Sequence, residues 1–182
     1  MDDVDFVTSR MDTFRIMVEK YSIGSISTGN LYYYGRFGTR YFRVALQDAT
    51  TEQLKSSGGL RYFKKSDVAD AIARYNQSCR EMQTLLSLQD LTYNDVVKAR
   101  DQLFNAYYID EVMDASIARE KIDSFKRRDL PLLSSQKNDF IHYANLCQLR
   151  SFNNKGLKNA EKDVFKKAEL LLAVLKKEYN IK

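Results

Sequence analysis

One proline and seven glycines in 182 residues leave this chain almost without the turn formers that an all-β sandwich or barrel needs at each reversal. Helix is what remains, and the apolar residues are spaced for it. Val4, Val7, Met11, Phe14, Val18 and Tyr21 recur at intervals of three and four, which puts them on one face of a helix. Asp2 and Asp3 suit the positive end of that helix's dipole, and Gly24, Ser25, Ser27 and Gly29 supply its stop.

The stretch LYYYGRFGTRYFR, Leu31 to Arg43, breaks the helical pattern. Gly35-Arg36-Phe37-Gly38 reads as a four-residue loop that pairs Leu31 to Tyr34 with Thr39 to Phe42 in a β-hairpin spanning about residues 31–46. Strand alternation then gives Leu31, Tyr33, Arg40, Phe42 and Val44 a core face, and leaves Tyr32, Tyr34, Tyr41 and Arg43 as a tyrosine shelf with an arginine on it. The polar segment QDATTEQLKSSGGL follows, most flexible at Ser56 to Gly59.

Helices resume after residue 65. Ser66 is a good N-cap for a helix carrying Val68, Ile72, Tyr75, Cys79, Met82 and Leu86 inward, and Thr92-Tyr93-Asn94-Asp95 approximates a capping box for the next. Val96, Ala99, Leu103 and Tyr107, widened by Phe104, Tyr108 and Val112, make that one central. The pattern weakens near Asp114 to Ser116, resumes through Ile117, Ile122 and Phe125, and stops at Pro131. Ser134 or Ser135 starts a helix with Phe140, Tyr143, Ala144 and Cys147 inward. Asn153 to Gly156 reads as a turn before a last helix that starts near Asn159 and buries Val164, Ala168, Leu171, Leu172 and Leu175. The expected fold is therefore mainly α: a bundle of six or seven helices with one β-hairpin near the N-terminus. It forms a single domain, 1–182, open to subdivision at residue 65.

Two cysteines and one histidine restrict the chemistry. Cys79 and Cys147 fall in helical patterns and read as reduced thiols, which together with the acidic start and the lack of a long apolar run points to an intracellular, reducing compartment, or to a particle assembled there, and to no membrane. A sole histidine, His142, removes histidine-rich metal sites, and CxxC, HExxH, GxGxxG, P-loop and GxSxG patterns are all missing, so no metal and no cofactor are expected. His142 with Cys147 is the one nucleophilic pair left, and five residues on a helix separate the two by about 140° around the axis.

Charge and aromatic surface are what the sequence offers instead. The chain carries a net charge of +5, and residues 30–65 alone hold seven basic residues (Arg36, Arg40, Arg43, Lys55, Arg61, Lys64, Lys65) against Asp48 and Glu52. Tyrosine and arginine together anchor protein interfaces. The first expectation is thus a non-enzymatic interaction or assembly subunit of a larger complex, with a viral or mobile-element particle as one setting. Tyr32, Tyr34, Arg36, Phe37, Tyr41 and Arg43 form its surface for a protein partner or for self-assembly. The alternative is a nucleic-acid-binding accessory protein using Arg36, Arg40, Arg43, Lys64 and Lys65, helped by the ridge Lys158, Lys162 and Lys166, because rings stack on bases while guanidinium groups hold phosphates.

Overall fold

A computed structural model describes residues 2–42, 44, 52–53, 56–58, 66–113 and 117–180. Among them the chain forms six α-helices: α1 (Asp2–Lys20), α2 (Thr28–Gly35), α3 (Ser66–Leu103), α4 (Ala106–Asp110), α5 (Arg119–Lys126) and α6 (Lys137–Tyr179), with short 3-10 turns at Ile23–Ser25 and Arg36–Thr39. The mainly α class holds, and no described residue is in a strand. The described helices include none long and apolar enough to cross a membrane.

The hairpin is overturned. Thr28–Gly35 is helical and runs directly into the 3-10 turn Arg36–Thr39, where a strand, loop and strand were expected. The reason lies in how completely this segment is surrounded. Leu31, Tyr32 and Tyr33 are all buried in succession, as are residues 35–39, so no alternation of faces exists to define a strand. The glycines that read as loop formers are contact residues. A Cβ at Gly29 would strike the backbone carbonyl of Phe125, and one at Gly35 would lie 2.7 Å from the Phe104 ring. They let α2 lie directly against α5 and the core.

Other boundaries also move. Thr92 to Asp95 start nothing, because α3 is continuous for 38 residues and the Thr92 hydroxyl donates back to the Leu88 and Gln89 carbonyls. Asn153 to Gly156 make no turn either: α6 continues for 43 residues, and Asn154 is buried, accepting from Gln89 Nε2 at 2.8 Å. A polar side chain inside a helix is thus held by a hydrogen bond to a second helix, where sequence reads an interruption.

The chain divides into two compact units, residues 1–42 with 88–155, and residues 43–87 with 156–182. In the first, α1 presents Val7, Met11, Phe14 and Val18 to the core, the stripe expected of it, while Val4 is half-buried and Tyr21 exposed. Phe104 is the hub. Its ring meets Tyr32 (4.8 Å between centroids), Phe140 (5.8 Å), Tyr143 (6.2 Å) and Phe14 (6.3 Å), mostly edge to face. Around α2, Ser27 Oγ donates to Lys126 O (2.7 Å), Gly29 N to Arg128 O (3.0 Å), and Tyr32 Oη to Pro131 O (2.6 Å) while accepting from Asn105 N (3.0 Å).

In the second unit the first part of α3 and the last part of α6 pack together. Val68, Ile72, Cys79, Met82 and Leu157 are buried, and Ser78 Oγ donates to Asp163 Oδ2 at 2.6 Å.

Candidate functional site: a cation-lined aromatic cleft

The segment after α2 is held from behind by groups that fix its backbone. Tyr143 Oη donates to Gly35 O (2.5 Å), Arg100 Nη1 donates to the Thr39 hydroxyl (3.0 Å), and Thr39 Oγ1 donates to Arg36 O (3.2 Å). A Cβ at Gly38 would lie 2.6 Å from Cys147 Sγ, so the turn sits flush on α6. Arg150, wholly buried, closes the segment: its Nη2 donates to Arg40 O (2.8 Å), its Nη1 to Gln89 O (3.3 Å), and its guanidinium lies 5.5 Å from the Tyr93 ring. Burial pulls Arg150 below the ordinary arginine range.

This backbone also carries the guanidinium groups of Arg36 and Arg40. Arg36 and Arg40 line a cleft of about 450 Å³ together with Phe6, Tyr33, Phe37 and Tyr41. Arg36 is only 7% exposed, and its guanidinium packs over the rings of Phe37 (4.5 Å) and Tyr33 (4.8 Å). Burial lowers its pKa, partly offset by Tyr33, and the neighbouring Arg40 pushes the same way as burial. Among the described residues neither Arg36 nor Arg40 has a carboxylate at ion-pair distance, and Arg36 Nε has no hydrogen-bond partner. Among the described residues, Asp3 is the one acid of the cleft wall.

Further cations and rings continue from the cleft. Arg10 lies 4.7 Å from the Phe6 ring and 5.9 Å from Tyr34, and Lys126 lies 4.2 Å from Tyr33 and 5.3 Å from Tyr34. Phe6, Arg10 and Lys126 were not foreseen, since α1 and α5 bring them in from far along the chain; the alternation of basic residues with aromatics on α1 was the available signal.

The expected residues separate accordingly. Arg36, Arg40, Tyr34 and Tyr41 are in or beside this site, with Tyr41 ordered by a hydrogen bond to Asp90 and an edge contact to Tyr93. Tyr32 is fully buried, spends its hydroxyl on Pro131 and Asn105, and presents no ring to a partner. Phe37 is 1% exposed and serves as the floor beneath Arg36. Arg43, Lys64 and Lys65 lie outside the described residues. Cys147 is a poor nucleophile: it is buried, and desolvation pushes its thiol up to about 12, while His142 is exposed on the helix.

In the second unit, Lys162 and Lys166 are exposed and Lys158 is half-buried, four residues apart on α6 as expected. What the sequence did not disclose is their apolar neighbourhood. From residue 158 to residue 180 no side chain is buried, although the helix carries Val164, Leu171, Val174 and Leu175, and Phe165 and Leu172 are more than half exposed (65% and 54%). Comparison with family models, with curated proteins and with solved structures found no match for this chain.

Proposed function

We propose that the protein is a non-enzymatic interaction and assembly subunit of a larger macromolecular complex, docking a protein partner along the C-terminal part of α6. The observation that carries this reading is that helix's half-covered state. Phe165 and Leu172 stand seven residues apart, which keeps them on one stripe of the helix, and both are more than half exposed. A stripe of large apolar side chains in water is unfavourable by roughly 25 cal/mol for each Å² left uncovered. Lys162 and Lys176 lie beside it, as do the exposed Glu161 and Glu169, so the occupant it fits is an amphipathic helix of another protein with charges of both signs beside its apolar face.

The test is purification of the intact protein from its native source with identification of whatever accompanies it, repeated with Phe165→Asp combined with Leu172→Asp. The expected result is a protein partner that is retained by the wild type and lost from the double variant. Monomeric wild-type protein that brings no partner, or capture that survives both substitutions, would sink the reading. Homomeric assembly abolished by the same pair would keep the stripe as the interface and replace the partner by a second copy.

A further inference from the structure

The cleft of the first unit fits a ligand of different chemistry. We propose that it binds a free amino acid with a large apolar side chain, holding the carboxylate with Arg36 and Arg40, the ammonium group with Asp3 and the side chain against Val7, Phe42 and Ile122.

The charges of the cleft favour a zwitterion. Arg36, Arg40 and Asp3 all line it, and among the described residues none of the three is in an ion pair, with one another or with a further group. An anion alone would be opposed by Asp3, and a cation alone by two guanidinium groups. A ligand that carries both signs meets each group with its opposite. Arg36 is the strongest case, because a cation withdrawn from water is unfavourable unless an opposite charge stands beside it. It is 7% exposed, with the rings of Tyr33 and Phe37 against its guanidinium and no described carboxylate at ion-pair distance. A planar carboxylate matches the fork of a guanidinium. Tyr143 on Gly35 O and Arg150 on Arg40 O hold the turn that carries both arginines, so little ordering is left for the ligand to impose.

The rest of the lining gives the ligand its third part. Val7, Phe42 and Ile122 bring hydrocarbon to the cleft and no polar side-chain atom, which suits an aliphatic or aromatic side chain. A volume of about 450 Å³ accommodates an amino acid of the size of leucine or phenylalanine. None of these contacts needs the Phe6 ring, against which Arg10 packs, or the Tyr41 ring, which packs on Tyr93.

The test titrates the intact protein with leucine and with phenylalanine by isothermal calorimetry, and repeats each titration with the N-acetyl and the carboxamide form, with O-phosphoethanolamine and with inorganic phosphate. The expected result is that a free amino acid binds and that blocking either end weakens binding by about tenfold or more, since each block removes one charge-assisted contact. These arms need only the wild type. Arg40→Ala and Asp3→Asn, first shown by thermal melting to be folded, then locate the two ends. The backbone carbonyl of Arg40, not its side chain, carries the contact to Arg150, so Arg40→Ala removes the charge and leaves that clamp in place. In Asp3→Asn the N-acetyl form should bind about as well as the free amino acid while the carboxamide stays weak, and in Arg40→Ala the loss on amidation should shrink. Failure of both amino acids to bind at millimolar concentration would overturn the proposal. So would blocked forms that bind the wild type as tightly as the free ones, a penalty for N-acetylation that survives in Asp3→Asn, or binding of phosphate or phosphoethanolamine where the amino acids have no effect. None of these outcomes bears on the α6 stripe, whose substitutions lie in the other unit.

Discussion

The two long helices α3 and α6 contribute to both compact units with the same three-and-four spacing of apolar residues, yet the two ends are covered very differently. In the unit formed by residues 1–42 and 88–155, Val96, Leu103, Phe140 and Tyr143 are sealed by rings and side chains from α1 and α2. In the unit formed by residues 43–87 and 156–182, Val164, Leu171, Val174 and Leu175 on the same stripe of α6 stay half-covered. Periodicity tells which side of a helix faces something. It does not tell whether that something belongs to the same chain.

That contrast can be broken by substitution, beginning with the largest effect. Phe104→Ala removes the hub of the ring cluster and should lower stability by about 4 kcal/mol, read from chemical denaturation. Gly29→Ala places a methyl group on the Phe125 and Arg128 carbonyls, and backbone cannot give way as a flexible side chain does, so a loss of about 3 kcal/mol is expected. Leu171→Ala, at a half-covered position, should cost only about 1 kcal/mol in the isolated chain. A loss as large as that of Phe104→Ala would erase the distinction between the units.

Hydrogen exchange sharpens the comparison within a single element. Amides of α3 at 88–103 should exchange more slowly than those at 66–87, although no helix end separates them. Uniform protection along α3 would show that the units open together.

The smallest effect concerns pH. Burial raises Tyr143 well above its usual value and pushes the Cys147 thiol up to about 12, from 9.0 for an unperturbed thiol, so both stay protonated in the folded chain after their unfolded counterparts ionise. The unfolded state binds fewer protons in that window. Stability is therefore unaffected by these groups below about pH 9 and falls progressively from there toward pH 12. The denaturation midpoint should decline less steeply between pH 8.5 and 10.5 in Cys147→Ala, and an equal decline would remove the thiol as its source.

Much of this was legible in the residues, and the failures share a cause. The α1 stripe and the face of α3 through Met82 could be read directly, because each helix has one buried side and one wet side. The segment 28–39 could not, because all of it but Thr28, Asn30 and Tyr34 is buried and such enclosure erases periodicity. Its three glycines fit a loop by composition and close packing by position, and only the neighbours decide between these. Asn154 misled for a related reason: its partner Gln89 lies 65 residues away, so alone it resembles a break. For the site, Arg36 and Arg40 stood out by composition. Phe6, Arg10 and Lys126 depended on tertiary placement, and Tyr32 was lost from the surface by it.

The enclosure of α2 has a consequence for how the chain is made. Its bonds reach far downstream, from Ser27 to Lys126 across 99 residues and from Gly35 to Tyr143 across 108. Synthesis proceeds from the N-terminus, so three consecutive tyrosines and a phenylalanine leave the ribosome early and wait for most of the protein before their cover exists. Closing loops of that length is also slow relative to helix formation. The nascent chain up to about residue 140 is thus the species most exposed to aggregation, and its aromatic segment is where a chaperone would bind.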